Sequence, residues 1–287
     1  MIEWWRGAFV GGPVVLEVAQ WQGSGAPTAR RLPRGAAWLA GLIPAGRRHT
    51  VTIDDSVGKA RGGVQSADVL ERHLLAVRTA LAEVPAGEPT VTIGGDCAVD
   101  LAPVEAALSA YGDRLTVVWF DAHGDLNTPQ SSPSGAFHGM VLRALIGDGP
   151  EGLRPARSLS ADRVVLAGAR SLDPGEQDLV KSRGIRHVGA EQLTEPGPLL
   201  AAVRATGAEA VYLHIDLDVL DPTVFPAVGT PEPGGVGVEE LVGAVRALTD
   251  EFALAGLALT EYERTEAVAQ EEAVLRRIVE GLFEADR

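Results

Sequence analysis

Short apolar runs recur along this chain with helix-like segments between them, and this alternation limits the fold more than any single motif. The runs cover residues 13–18, 90–93, 116–120, 163–167, 211–215 and 256–259. Thr116-Val-Val-Trp-Phe120 and Val211-Tyr-Leu-His-Ile215 are β-branched and aromatic with no regular polar face, as strands buried on both sides of a parallel sheet require. Strands separated by helices make βαβ units, so the predicted class is α/β. Low aromatic content with many Ala, Val, Leu and Gly agrees with a parallel sheet covered by helices. Nothing in the 287 residues reads as a linker, and residues 1–287 are expected to form a single domain.

A net charge of −14 disfavours nucleic acid and anionic membranes as partners. No apolar stretch reaches the roughly 18 residues of a membrane-spanning helix, and the N-terminus lacks a secretory pattern, so a cytoplasmic protein is expected. The single cysteine, Cys97, excludes an internal disulfide and agrees with a reducing compartment. Ser66 is placed to cap a helix whose apolar stripe is Leu70, Leu74, Val77 and Leu81, with Pro85 beyond its end. His73 is read as lying off that stripe, in solvent. Gly- and Pro-rich segments at 23–35, 125–139 and 222–237 are too long for simple turns, and long loops at strand ends usually build the pocket.

Two of the strand-like runs lead directly into acidic segments, Asp121-Ala-His-Gly-Asp125-Leu-Asn127 and Asp216-Leu-Asp218-Val-Leu-Asp221-Pro222. In open α/β sheets ligands bind at the C-terminal ends of the strands, so sequence-distant segments can converge there. Asp121, His123 and Asp125 are spaced to point to one side of an extended chain, and Asp216 and Asp218 repeat the spacing. Four crowded carboxylates repel one another unless cations neutralise them. With one imidazole they form a hard donor set for two ions such as manganese, magnesium or iron(II). An isolated aspartate at a strand end more often caps a helix or opens a turn; five donors at this spacing favour metal.

Gly94-Gly-Asp-Cys97 follows another strand, Gly135-Ala-Phe-His138-Gly-Met140 lies in the loop after the first acidic segment, and Glu261 follows the last strand. With the two aspartate segments, these motifs in this order resemble the arginase/agmatinase (ureohydrolase) family. The resemblance implies a three-layer α/β/α sandwich with a central, mainly parallel β-sheet. It also implies two manganese ions sharing a bridging hydroxide that attacks a guanidinium carbon. Carried over by position, Asp121, Asp125, Asp216 and the residue at Cys97 would bind one ion, and Asp121, His123, Asp216 and Asp218 the other. His138 matches a proton-shuttling histidine and Glu261 a carboxylate that pairs with the guanidinium, although Tyr262-Glu263-Arg264 departs from the usual continuation. Asp173 and Glu176 match an arginase segment that contacts the substrate α-amino group, and the same residues read without the family are an ordinary Pro-Gly helix start. Asn127 and Ser134 fit positions that read the α-carboxylate, Ala136 stands where arginases carry an asparagine, and Thr230 matches a threonine beside the guanidinium. Homotrimers or hexamers are common in the family, so a homo-oligomer with a small-molecule guanidino substrate is expected.

Cys97 stands where typical members carry a histidine ligand. A thiolate can ligate and would favour zinc or iron(II), whereas a protonated, buried cysteine would leave that ion weakly held. A relative acting on N-hydroxyarginine in antibiotic biosynthesis also carries cysteine in this motif. The expected activity is release of urea or hydroxyurea from L-arginine or a close analogue such as N-hydroxyarginine. The alternatives are agmatine or another guanidino acid as substrate, and a non-catalytic ligand-binding homologue. His214 is read as a core residue, and His49 and His187 are assigned no role.

Overall fold

The computed structural model describes residues 12–266 and 268–283. Eight strands form one sheet in the order β2-β1-β3-β8-β7-β4-β5-β6, and every neighbouring pair is parallel. They are β1 (Val14–Val18), β2 (Arg47–Thr50), β3 (Thr90–Gly94), β4 (Leu115–Phe120), β5 (Val164–Ala167), β6 (Arg186–Val188), β7 (Ala210–Asp216) and β8 (Ala253–Thr260). The principal helices are α1 (Leu32–Leu42), α2 (Ala67–Leu81), α3 (Leu101–Tyr111), α4 (Pro174–Arg183), α5 (Pro196–Arg204), α6 (Val238–Glu251) and α7 (Val268–Phe283).

Two hydrophobic cores lie on opposite faces of the sheet, as residue alternation along each strand requires. On one face Val118, Phe120, Leu213 and Ile215 pack with α1, α5, α6 and α7. On the other, Val117, Trp119 and Tyr212 pack with α2, α3 and α4. The result is the expected three-layer α/β/α sandwich. Because all strands run the same way, the ends of β3, β4, β5, β7 and β8 open on one edge, where Cys97, Asp121, Asp173, Asp216 and Glu261 stand at or just beyond the strands.

The six expected strands are present, and the structure adds the edge strands β2 and β6. Ser66 sits at the N-terminal cap of α2 but has φ 53°, and its side chain makes no capping hydrogen bond. His73 is buried, correcting the solvated placement: it follows Leu70 by three positions and so shares that residue's inward face. The 23–35 segment is a loop only in its first part, since a short turn at Ala29–Arg31 leads into α1.

Candidate metal centre

At the centre of the sheet β7 pairs with β4 on one side and β8 on the other, bringing the two aspartate segments together. Asp121 Oδ1 accepts from the His123 N–H at 2.6 Å, and its Oδ2 accepts from Trp119 Nε1 at 3.0 Å. Asp218 Oδ1 accepts from the Ala122 N–H across the strands at 3.0 Å, and Asp216 Oδ1 accepts from the Asp218 N–H at 2.7 Å. His123 Nδ1 lies 3.0 Å from Asp218 Oδ2 and 3.4 Å from Asp121 Oδ1. β4 ends at Phe120, the chain bends over residues 121–123 and Asp125 itself is left-handed with φ 51°, so the segment does not continue as an extended strand.

The Gly94-Gly-Asp segment brings Cys97 to the same place. A Cβ on Gly95 would collide with the carbonyl oxygen of Gln20, so only glycine lets this loop press against the end of β1. Asp96 then caps the next turn by accepting from Ala98 N–H, and also takes hydrogen bonds from Gly23 N–H and Gln20 Nε2. Cys97 Sγ lies 3.0 Å from Asp216 Oδ2 and 3.4 Å from Thr260 Oγ1. Glu261, another left-handed residue with φ 65°, accepts from the Cys97 N–H and from His138 Nδ1, each at 3.1 Å. The ring's Nε2 accepts from the Gly25 N–H at 3.3 Å.

Among the described residues three sets of donor atoms are each close enough to share an ion: Cys97, Asp121, Asp125 and His214; Cys97, Asp216 and Glu261; and Asp121, His123 and Asp218. Within each set the atoms lie within 4.8 Å of one another. Burial, reinforced by the neighbouring aspartates, pushes the Asp125 and Asp216 carboxyls well above the ordinary range and raises Asp218 to about 6. Burial opposes ionisation of His123, but Asp121 and Asp218 outweigh it and lift the imidazole to about 12. Burial, then Asp216 and Glu261, push the Cys97 thiol up. Such a cluster ionises together only with cations inside it, and Asp125 Oδ2 is a buried oxygen with no protein partner. The donor set therefore fits divalent ions.

A cavity of about 160 Å³ opens beside the cluster, its wall formed by His123, Asp125, His138, Asp173, Asp216 and Thr230 among others. Asn127 also lines it and donates from Nδ2 to Asp173 Oδ2 at 2.8 Å. Glu176 takes the Leu126 N–H on one oxygen and the Asp173 N–H on the other, both at 2.8 Å, so it ties the acidic loop to the start of α4. Thr230 donates to Asp218 Oδ2 at 3.1 Å. Ser134 is exposed and does not line this cavity, while Ala136 is buried. Asp221 caps its own turn through Thr223 and the Gly234 N–H.

Two residues of the site carry no sequence signal. Arg170 donates to the carbonyls of Gly168, Asp218, Glu232 and Pro233, clamping the 217–233 segment against the end of β5. Asp100 lies buried beneath the cluster, accepting from the Tyr212 hydroxyl at 2.6 Å and bonded to His214 Nδ1 at 2.7 Å. Nothing in the sequence distinguishes either from an ordinary surface charge.

The family model described as "Arginase family" matches residues 36–278. The arginase of Staphylococcus aureus strain COL is 34% identical over 179 residues, which are 60% of this chain and 59% of that protein. The chain thus aligns with less than two thirds of that relative's length. The arginase of Bacillus caldovelox is 33% identical over 261 residues, 80% of this chain and 86% of that protein. The crystal structure of Entamoeba histolytica arginase in complex with L-ornithine superposes with a TM-score of 0.85 at 24% identity, covering 95% of this chain and 98% of that one, a likeness of fold. From the match over most of its length, and from the fold and acidic strand ends that go with it, this chain belongs to the arginase family.

Proposed function

We propose that this protein is a binuclear metal-dependent hydrolase that cleaves the guanidino group of L-arginine or a close α-amino acid analogue such as N-hydroxyarginine, with release of urea or hydroxyurea. The observation that carries the reading is the convergence of Asp121, His123, Asp125, Asp216 and Asp218 beside a cavity walled by His138, Asn127 and Asp173. When bound, two divalent ions supply Lewis acidity and bring a water's pKa into the neutral range. Mainly oxygen donors favour manganese, and Cys97 shifts the preference toward zinc or iron(II).

The chain's own groups divide the remaining work. The Asp173 carboxylate, held by Asn127, offers an anionic partner to a substrate ammonium, and Ser134 stands in the same loop as Asn127. Thr230 steadies Asp218 and flanks the guanidinium. Glu261 pairs with the guanidinium and holds the His138 ring through Nδ1, and His138, once protonated at Nε2 and turned from the Gly25 N–H, passes that proton to the departing amine at the cavity wall. Burial works against protonation of His138, but Glu261 outweighs it and raises its pKa, which suits a proton donor near neutrality. Glu176 acts by positioning the 125–127 segment. A cytoplasmic homo-oligomer, trimeric or hexameric, completes the proposal on the family resemblance, and size-exclusion chromatography with light scattering tests that part.

The direct test is a colorimetric urea assay on protein reconstituted separately with manganese, iron(II) or zinc. L-arginine, N-hydroxyarginine, agmatine and guanidinobutyrate are offered in parallel. Release from the α-amino substrates alone is expected. Cleavage of agmatine at a rate unchanged by Asp173→Ala would move the reading to an agmatinase, and tight arginine binding without turnover under any metal would make it a binding homologue.

A further inference from the structure

We propose that His214 is itself a metal ligand, and that its Nε2, together with Cys97, Asp121 and Asp125, encloses one ion in a mixed sulfur, nitrogen and oxygen site. His214 lies on β7 two residues before Asp216, so both side chains emerge on the same face of the sheet. The ring is fully buried, stacked on Trp119 with centroids 3.5 Å apart and planes 8° from parallel. Trp119 and His214 are register partners across β4 and β7, so the stack is fixed by the ladder itself. Asp100, equally buried, bonds Nδ1 at 2.7 Å.

A carboxylate at that distance places a proton on Nδ1, so the lone pair of a neutral ring is on Nε2. That lone pair has no hydrogen-bond partner, and buried polar atoms in folded proteins nearly always have one. Asp125, whose Oδ2 is likewise buried without a partner, belongs to the same donor set. Two adjacent buried Lewis bases without donors are explained by one Lewis acid between them. The carboxylate–imidazole arrangement is the one that orients histidines toward metals elsewhere. His214 thus restores to the Cys97 side of the centre an imidazole that the cysteine does not provide. The resulting donor set favours zinc or iron(II) over manganese at that position.

The inference rests on the binuclear reading above, and metal content tests it without reference to turnover. The full-length protein and its His214→Gln variant are loaded with zinc and dialysed, and bound metal is measured; cobalt(II) is titrated in parallel by absorbance. The parent is expected to hold two equivalents. The variant is expected to retain the ion at Asp121, His123 and Asp218, to bind the other on the order of 100-fold or more weakly, and to lose the thiolate-to-cobalt band. Both equivalents retained at parental affinity, with the band intact, would overturn the assignment. Because His214→Gln disturbs the Trp119 stack, the unmodified protein supplies an independent readout in ¹⁵N-histidine spectra with and without zinc. Two histidines shifting at a ring nitrogen, one keeping its Nδ1 proton, supports the assignment; only one shifting overturns it. A parent that binds no divalent ion overturns the binuclear reading and this inference with it. A parent that answers as expected but releases no urea upholds His214 as a ligand and overturns the substrate.

Discussion

Asp218 serves several partners at once, taking the Ala122 N–H on one oxygen and Thr230 with His123 on the other. Replacing it with alanine removes a hydrogen bond between the segments that follow β4 and β7, and replacing Asp125 removes a buried oxygen that has no protein partner. Either Asp218→Ala or Asp125→Ala is expected to lower kcat/KM by at least ~1000-fold, about 4 kcal/mol of transition-state stabilisation, with the far-ultraviolet circular dichroism unchanged. Parental activity in both variants would refute the proposed chemistry. His73 makes a separate prediction. Its Nε2 accepts from the Asp54 N–H and its Nδ1 faces Gln20 Oε1, an arrangement only a neutral ring satisfies. Burial drives its pKa from 6.5 to about 4. The unfolded chain therefore binds a proton that the folded chain refuses, and stability held above pH 6.5 is lost as pH falls toward 4. Urea titrations at pH 7 and pH 5 should show the parent losing about 1–2 kcal/mol more than His73→Gln between the two.

Among the elements, the central strands were readable because burial on both faces demands continuous apolar residues, and β4 and β7 are wholly buried. The edge strands were not. β2 is Arg-Arg-His-Thr with no fully buried position, and β6 is three residues long, so neither carries a hydrophobic pattern. The first part of β8 lacks a clean strand pattern for another reason. Val211 pairs with Leu254 but Tyr212 with Gly256, so Ala255 is an extra residue that resets the alternation. This brings Thr260 opposite Asp216, on the cluster's side. The aspartate segments were legible because each directly follows a strong strand signal, whereas Arg170 and Asp100 act through hydrogen bonds to partners remote in sequence. Arg170→Met would leave the carbonyls of Asp218, Glu232 and Pro233 without this donor. A stability loss of about 2–3 kcal/mol by urea denaturation is expected, with faster amide exchange in residues 217–233. Unchanged exchange there would show that the clamp is dispensable.

For the molecule as a whole, the acidic cluster makes stability depend on its ions. At a metal concentration one hundred times Kd, each site adds about 2.7 kcal/mol, and chelation removes it. Asp218 and Asp96, both raised by burial to about 6, hold protons more tightly folded than unfolded. In metal-free protein their contribution is therefore present at low pH and lost as pH rises from 3.8 through about 6. Protons also compete with the ions for Asp218. The fall in Tm on adding a chelator should thus be larger at pH 7.5 than at pH 5.5, and equal falls would argue against ions within the cluster. The parallel sheet also sorts the loops by distance from the chemistry. Those that leave β3, β4, β5, β7 and β8 build the centre, while the segments entering β3, β4 and β7, at residues 82–89, 112–114 and 205–209, lie at the opposite edge. That far edge is a natural handle: a tag or a surface tether joined at the exposed tip around Ala86 and Gly87 would hold the molecule with its catalytic mouth facing away from the support.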